Sequence, residues 1–495
     1  MPQSRPIERQ QAAAGSSLHM HMAAIQLVVL LSLLLATALW QLLKQRSNLR
    51  TASSAPSSPE APCAAPSGTV DISTSQFAEP PPRPLDDIED LGLPTAARRP
   101  PSTPSAARAP PFGPHEGAPL YLPAGIRVVH LEVSTKCNAA CPQCPRNVRG
   151  GRDNPALPLV DLSLAQVKLL VDPGATSLAG LRKIFLCGNY GDPTAARDCL
   201  AIVRWLREAF PTTAIGVHSN GGARSEQWWR ELGTLLQGPS RSYCRFAIDG
   251  LEDTNHLYRQ KVDWARLMRN VRAFVAAGGT PEWDFLVFRH NEHQVEEARA
   301  LATSLGVRKF TIKKTRRFVD KATGTLRTQT PVEDRKGRVV RYLEPPENPA
   351  MRNDADLHDL ATILNRHGSL ESYYDTACIA CKAQKDAEIY ISAEALVFPC
   401  CFLAGELYNR AGGKQLLDIL AANALSLDSM RVTQEHSLDE VLAGPLFSHI
   451  VVASWSRPTL TQGKLRTCAA ICGSEHRGFD KQFDVGRGTA SSTAS

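Results

Sequence analysis

The sequence of 495 residues predicts an α/β fold built on a partial (β/α)6 barrel of the TIM type. Between residues 121 and 315, short apolar runs alternate with longer segments of helical periodicity, which is typical of repeated βα units. The candidate strands are Val128 to Val133, Lys183 to Leu186, Ala214 to Val217, Cys244 to Ile248, Glu282 to Val287 and Lys309 to Ile312. The candidate helices are Leu164 to Val171, Ala195 to Glu208, Ser225 to Leu236, Trp264 to Ala277 and Val295 to Leu305. These units are too few for a closed barrel and enough for a partial one.

An uncharged apolar segment near the N-terminus is a candidate transmembrane helix. Residues 23–43 carry no charge, and a helix of this length is about 30 Å long, which matches a bilayer core. Basic residues are more frequent after this segment than in the tail of residues 1–22. This bias favours a single-pass membrane protein whose C-terminal part faces the cytosol or an organelle stroma or matrix. Two alternatives stay open: Ala36 to Ala38 is typical of a signal-peptidase site, and Arg5 and Arg9 are compatible with a targeting peptide.

Composition separates the segments that can fold from those that cannot. Residues 44–120 are dominated by Pro, Ala and Ser, which predicts a disordered linker, and residues 479–495 are predicted to be a disordered tail. Residues 316–375 are highly charged and are predicted to form an insertion that wraps over the barrel. The formal net charge of +7 is spread along the chain, so it does not indicate a specific nucleic-acid partner.

The first cysteine motif follows the first candidate strand. Cys137, Cys141 and Cys144, here called the cysteine triad, have the spacing C-x3-C-x2-C. In a chain of this size, cysteines at short spacings favour bound metal in a reducing compartment over disulfides. Three thiolates can hold three irons of a 4Fe–4S cluster and leave the fourth iron open for a cofactor. A zinc site is the alternative, although the loop has no adjacent histidine to complete it.

This motif resembles that of the radical S-adenosyl-L-methionine (SAM) superfamily. The resemblance implies that the open iron chelates the methionine end of SAM. It further implies that the reduced cluster cleaves SAM and that the resulting 5′-deoxyadenosyl radical abstracts a hydrogen from the substrate. A reductant such as ferredoxin or flavodoxin is implied as a partner, and the cysteine triad is implied as the catalytic centre.

Strand ends downstream of the triad resemble further parts of the same superfamily. The segment from Gly188 to Pro193 lies where the family has its GGEP motif, with Asp192 in place of the usual glutamate. Ser219-Asn220 resembles the family's TNG segment, and Asp249 begins a DG step. Plain tight turns are the alternative interpretation. The resemblance implies SAM contacts at Gly188, Gly191, Asp192, Pro193, Ser219, Asn220, Asp249 and Asn291.

A second cysteine-rich segment, residues 376–478, resembles the SPASM and twitch modules of that superfamily. The resemblance implies an auxiliary 4Fe–4S cluster held by Cys381, Cys400, Cys468 and Cys472, here called the C-terminal cysteine set. Cys378 and Cys401 are alternates, and a structural zinc is the competing interpretation. The family hairpin usually turns on glycine, whereas this chain has Glu394-Ala395. Three further cysteines are predicted to be buried free thiols: Cys187, Cys199 and Cys244.

The segment from Asp249 to Arg259 also resembles radical SAM proteins that modify peptides or proteins. The expected substrate is therefore a peptide, a protein or a small metabolite. Two other classes of function also explain the cysteines: a non-catalytic iron–sulfur electron carrier, and a zinc-binding interaction protein on a membrane tether.

Overall fold

The computed structural model describes residues 121–122, 125–237, 241–321, 323–408 and 415–476. All of them belong to one compact unit, 92–495. The predicted membrane segment 23–43, the linker 44–120 and the tail 479–495 lie outside the described residues. Within the described ranges, no helix combines the length and the apolar character that crossing a membrane requires.

The central element is an open sheet whose strand order is β10-β9-β1-β2-β3-β4-β5-β6. Each neighbouring pair is parallel except β9 and β10, which are antiparallel. Its strands are β1 (Val128–Leu131), β2 (Lys183–Leu186), β3 (Ala214–Ser219), β4 (Tyr243–Ala247), β5 (Pro281–Val287), β6 (Lys309–Lys314), β9 (Glu388–Ile391) and β10 (Val397–Phe398). All six candidate strands form, so the predicted α/β fold with a parallel sheet is confirmed.

Helices connect the parallel strands and continue into the C-terminal part. Three of them begin after Ser163, Ser225 and Asp263, whose side chains accept a backbone N–H of the first turn. The helices are α1 (Leu164–Leu170), α2 (Cys199–Ala209), α3 (Glu226–Leu235), α4 (Asn255–Tyr258), α5 (Trp264–Ala276), α6 (Val295–Ser304), α7 (Asp354–His367), α8 (Leu370–Thr376), α9 (Lys382–Lys385), α10 (Cys401–Ala404), α11 (Gln415–Ala422), α12 (Leu438–Ala443), α13 (Val451–Trp455) and α14 (Arg466–Cys472). Helix α2 begins later than predicted because Pro193–Ala195 forms a separate 3-10 turn.

The charged segment 316–375 contains more regular structure than its sequence indicates. It holds an antiparallel hairpin of β7 (Thr330–Glu333) and β8 (Val339–Leu343), followed by α7 and α8. Its apolar residues are few, but Leu360, Ile363 and Tyr373 are buried in a small separate core. A buried contact of Asp356 with Arg316 and His476 adds to that core. The hydrophobic period of α7 is weakened because Asp356 is buried on the same face as Leu360 and Ile363.

The C-terminal part shares the main sheet. Strand β9 lies beside β1 in parallel register, with Val128 opposite Glu388 and Leu131 opposite Ile391. The hairpin from β9 to β10 turns at Ala395, which has a φ of +61°. An alanine thus takes the left-handed conformation that glycine adopts more readily. The main hydrophobic core continues from the βα units into this segment through Ile389 and Ile391.

Candidate active site

A cavity of about 320 Å³ opens at the carboxyl ends of the parallel strands. Ligand sites of βα folds collect at this edge. The lining includes the cysteine triad, Gly188, Gly191, Asp192, Ser219, Asn220 and Asp249. It does not include Pro193, which begins a buried 3-10 turn, or Asn291. Most of the residues that the resemblance implies are therefore brought together, although they come from four different strand ends.

The loop that carries the cysteine triad is held by its own backbone and by its neighbours. Cys141 is buried, and its carbonyl accepts hydrogen bonds from the Cys144 N–H at 3.0 Å and from Asn147 Nδ2 at 3.2 Å. The Ala140 N–H donates to the Gln260 carbonyl at 3.1 Å, which ties the loop to the segment after α4. These hydrogen bonds hold the loop in place, and its three cysteines line the cavity.

Three N–H groups point at sulfurs of the triad. Ala139 N–H donates to Cys137 Sγ at 3.4 Å, and Asn220 Nδ2 donates to the same sulfur at 3.7 Å. Arg259 donates from a guanidinium nitrogen to Cys141 Sγ at 3.6 Å. Burial raises the pKa of both Cys137 and Cys141. A bound metal deprotonates a coordinating thiol outright. The three N–H groups would then donate to thiolate sulfurs, as residues around a metal site commonly donate to its ligands.

The loop from Gly188 to Pro193 packs against the triad loop. A Cβ atom added to Gly191 would lie 1.8 Å from the Ser134 carbonyl oxygen, so only glycine fits. Glu132, at the end of β1, accepts the Tyr190 and Gly191 N–H groups at 2.8 and 3.1 Å. Its other carboxylate oxygen accepts the Tyr390 hydroxyl of β9. Burial raises the pKa of Glu132, and these hydrogen bonds offset part of that rise.

Asp192 joins the ends of β2 and β3. Its buried carboxyl group accepts the Asn220 N–H at 2.8 Å, Asn220 Nδ2 at 2.7 Å and the Ser219 hydroxyl at 2.9 Å. The Thr194 N–H donates to it at 3.0 Å. The hydrogen-bonding capacity of the Asp192 carboxyl group is therefore used by groups of the protein itself. Asp192 therefore holds the strand ends in place around the cavity.

Asp249 and Asn291 form a second buried connection, at β4 and β5. Asp249 Oδ1 accepts the Leu286 N–H at 2.7 Å, and Oδ2 accepts Arg259 Nε at 2.6 Å. Asn291 donates from its side-chain amide to the Asp249 carbonyl at 2.9 Å and accepts the Phe288 N–H at 2.7 Å. Asn291 thus supports the strand ends from outside the cavity lining.

Sequence reasoning did not identify the charged lining that the strands themselves contribute. Arg245, Asp284 and Lys313 lie inside β4, β5 and β6, and all three line the cavity. Asp284 is 2.9 Å from Lys313 and 3.7 Å from Arg245. His218 of β3 also lines the cavity, and burial lowers its pKa. Charged residues within predicted strands were the available signal, since burying them needs partners.

The C-terminal cysteine set also comes together. The Cys381 thiol is hydrogen-bonded to Cys472, which raises the pKa of Cys381. The Tyr121 hydroxyl is 3.9 Å from Cys381 Sγ. Burial raises the pKa of Tyr121, and Cys381, Cys400 and Cys468 add to that rise. Burial raises the pKa of Cys400 to about 12, and Cys472 adds to that rise. Cys381, Cys400 and the helix that carries Cys468 and Cys472 therefore lie close together.

Five further cysteines of the described residues belong to neither group. Burial raises the pKa of the Cys401 thiol, and Cys400, Glu388, Cys187 and Glu132 add to that rise. Cys378 lies where its carbonyl accepts the Ser474 N–H at 2.8 Å. Cys199 and Cys244 are buried free thiols, whereas Cys187 is half-buried and lines the cavity.

Neither cysteine group is arranged around one point. In the part of the chain that the structure describes, no group of three or more His, Cys, Asp or Glu side chains has the spacing that holds a single metal ion. A cluster distributes its ligands over several irons, so its thiols need not converge on one point. Inside the triad, both amide atoms of Gln143 are buried without a hydrogen-bond partner among the described residues.

No protein-family model matches the sequence, and no curated protein does. Solved structures with a similar fold include Streptococcus suis SuiB bound to S-adenosylmethionine, with 13% identity over 57% of this chain and a TM-score of 0.36. The chain spans 62% of SuiB, which is less than two thirds of it. Native anSMEcpe with bound AdoMet has 12% identity, covers 72% of this chain and 94% of its own, and has a TM-score of 0.40. BtrN in complex with AdoMet and 2-DOIA has 12% identity and a TM-score of 0.30, and the match covers 69% of this chain and 91% of BtrN. Because each TM-score is below 0.5, these likenesses do not assign the chain to a family.

Proposed function

We propose that this protein is a radical SAM enzyme with a partial (β/α)6 barrel, a 4Fe–4S cluster on the cysteine triad and SAM in the adjoining cavity. One observation carries the proposal: the triad lines the same cavity as the ends of β2, β3 and β4. An electron carrier or a structural zinc site needs no such cavity beside its cysteines. A reaction on a bound cofactor does, since it needs room for the cofactor and its substrate.

The donor set fits a cluster with one open iron. The triad supplies three thiols, and their neighbours supply N–H groups to two of the sulfurs. The Gln143 amide is buried in the same loop without a hydrogen-bond partner among the described residues. Its polar atoms can therefore contact a group bound there. Three cysteine ligands leave an iron for a non-protein ligand, which is the chemistry that SAM chelation requires.

A 4Fe–4S cluster held by Cys137, Cys141 and Cys144 would supply the one-electron chemistry for reductive SAM cleavage and hydrogen abstraction. The residues of the chain hold and orient these reactants. Gly191 lets its loop pack directly on the triad loop, and Glu132 and Asp192 fix that loop to β1 and β3. The paired charges of Arg245, Asp284 and Lys313 make the cavity polar, which suits a peptide, a protein segment or a polar small metabolite.

We also propose that the C-terminal cysteine set binds an auxiliary 4Fe–4S cluster. The support is that Cys381, Cys400, Cys468 and Cys472 lie near one another. Four thiolates complete a cluster without an open iron. Such a cluster could stabilise the C-terminal part, since metal binding contributes to the folding of metal-held modules.

The proposed membrane tether depends on sequence alone. Residues 23–43 are uncharged, apolar and long enough to span a bilayer as a helix. We propose that they anchor the protein with its catalytic part on the cytosolic, stromal or matrix side, where low-potential reductants such as ferredoxin or flavodoxin act.

The experiment for the catalytic proposal compares single alanine variants of the triad with Cys187→Ala. Cys187 lines the same cavity and lies outside the triad, so it is a matched control. After anaerobic reconstitution with iron and sulfide, dithionite and SAM should yield 5′-deoxyadenosine with the wild type and with Cys187→Ala. The triad variants should yield none, because each triad thiol is a ligand of the proposed cluster.

Three outcomes would contradict the proposal. Unchanged 5′-deoxyadenosine formation in all three triad variants would show that the cluster lies elsewhere. A coloured iron–sulfur protein that never cleaves SAM would favour the electron carrier. A colourless protein that retains zinc would favour the interaction protein.

A further inference from the structure

Arg259 lies between a sulfur of the triad and a buried carboxylate. It donates from Nε to Asp249 Oδ2 at 2.6 Å and from a terminal guanidinium nitrogen to Cys141 Sγ at 3.6 Å. The side chains of Arg259 and Asp249 are 20% and 1% exposed, and Cys141 is 6% exposed. This contact joins a permanent cation to a proposed cluster ligand in a place where water screens little.

Several contacts fix the direction of the Arg259 side chain. Asp249 Oδ1 is occupied by the Leu286 N–H at 2.7 Å, so Oδ2 stays turned toward Arg259. The Asp249 N–H donates to Asn255 Oδ1 at 2.9 Å, and the Arg259 N–H donates to the Asn255 carbonyl at 2.8 Å. The Tyr258 ring lies against the guanidinium group, 5.4 Å from ring centre to central carbon. A side chain held at so many points has a defined orientation toward the sulfur.

We propose that Arg259 sets the reduction potential of the cluster on the cysteine triad by donating a hydrogen bond to Cys141 Sγ, with the carboxylate of Asp249 partly neutralising its charge. The inference rests on the proposed function. Reduction adds one electron to the cluster, and both a positive charge and an N–H donor at a sulfur stabilise the added negative charge. Arg259 therefore raises the potential and makes the reduced state easier to reach. The carboxylate of Asp249 limits the effect.

The cavity contains a matched control for charge alone. Arg317 lines the same cavity, but its guanidinium group donates to the Tyr258 hydroxyl at 3.0 Å, and no triad sulfur is among its partners in the described residues. Arg317→Gln removes one positive charge from the cavity without removing a donor from a sulfur. Arg259→Gln removes the same charge and the donor as well. A difference between the two variants reports what the direct contact of Arg259 with Cys141 Sγ adds to a positive charge in the cavity.

The test is a redox titration of the reconstituted full-length protein without SAM, with dithionite as the one-electron reductant and electron paramagnetic resonance as the readout. The signal of the triad cluster is the one that is missing from Cys137→Ala. We expect Arg259→Gln to lower the ratio of reduced to oxidised cluster at a fixed potential about tenfold, which is about 59 mV for a one-electron couple. Arg317→Gln should change the ratio less than about threefold, or about 30 mV.

Asp249→Asn supplies a shift of the opposite sign. It removes the negative charge beside Arg259, so the ratio of reduced to oxidised cluster should rise. General damage to the site would not change this ratio in opposite directions in Arg259→Gln and Asp249→Asn. If Arg259→Gln binds no iron, the Asp249→Asn variant still tests the inference. Equal shifts in Arg259→Gln and Arg317→Gln, or a fall in Asp249→Asn, would overturn the inference. A wild type without any triad-dependent signal would overturn the proposed function itself.

Discussion

Replacing Glu132 with alanine should weaken SAM binding, because Glu132 holds the loop from Gly188 to Pro193. The substitution leaves the Tyr190 and Gly191 N–H groups without the oxygen that accepts them at 2.8 and 3.1 Å. A buried donor without a partner costs about 1 to 3 kcal/mol, so the two together cost about 2 to 6 kcal/mol if the loop stays in place. The loop can lower this cost by moving away from β1. A rearrangement that costs SAM binding about 1.4 kcal/mol reduces the affinity tenfold.

The measurement is equilibrium dialysis of labelled SAM against the reconstituted protein, with iron content determined in parallel. Tyr390→Phe is the matched control, since it removes a hydroxyl from the other Glu132 oxygen and leaves both backbone contacts intact. We expect Glu132→Ala to bind SAM at least about tenfold more weakly. Glu132→Gln, which keeps an acceptor oxygen, should recover most of the loss. Wild-type affinity in Glu132→Ala at full iron content, or an equal loss in Tyr390→Phe, would refute the reasoning.

Three further predictions concern the C-terminal cysteine set, the membrane segment and the small core. Replacing the whole triad should leave about four irons per chain if the C-terminal cysteine set holds a cluster, and iron analysis that finds none would remove the auxiliary site. Deleting residues 1–50 should release the protein from membranes without affecting SAM cleavage, and a full-length protein that fractionates as soluble would contradict the anchor. Asp356→Ala should lower the free energy of unfolding by about 3 to 5 kcal/mol, because Arg316 and His476 lose a buried partner. Burial opposes ionisation of Asp356, but His476 and Arg316 hold its pKa below the usual value. This contribution should therefore be present above about pH 4 and be lost as the pH falls through the lowered pKa, and urea unfolding that shows no difference between wild type and variant at pH 7 would contradict it.

The strands of the βα units were predictable because their signal is local. In a parallel sheet covered on both faces, strands are short apolar runs, and the sequence shows such runs between helical segments. Lys183–Leu186 was predicted with the observed bounds, and the other five differ by at most two residues at an end. The segment 316–375 was harder to predict because α7 buries Asp356 together with apolar residues, which weakens the hydrophobic period.

The sequence by itself determined the spacing of the cysteine triad, the positions of polar residues at strand ends and the grouping of the later cysteines, because these are properties of neighbouring residues. Tertiary structure alone decided which distant groups meet. It placed β9 beside β1, so Tyr390 contacts Glu132, and it turned Arg259 toward Cys141. It also moved Asn291 outside the cavity lining, where it supports Asp249. Hydrogen bonds between residues far apart in the chain depend on how strands pair and how loops pack, and no local pattern records either.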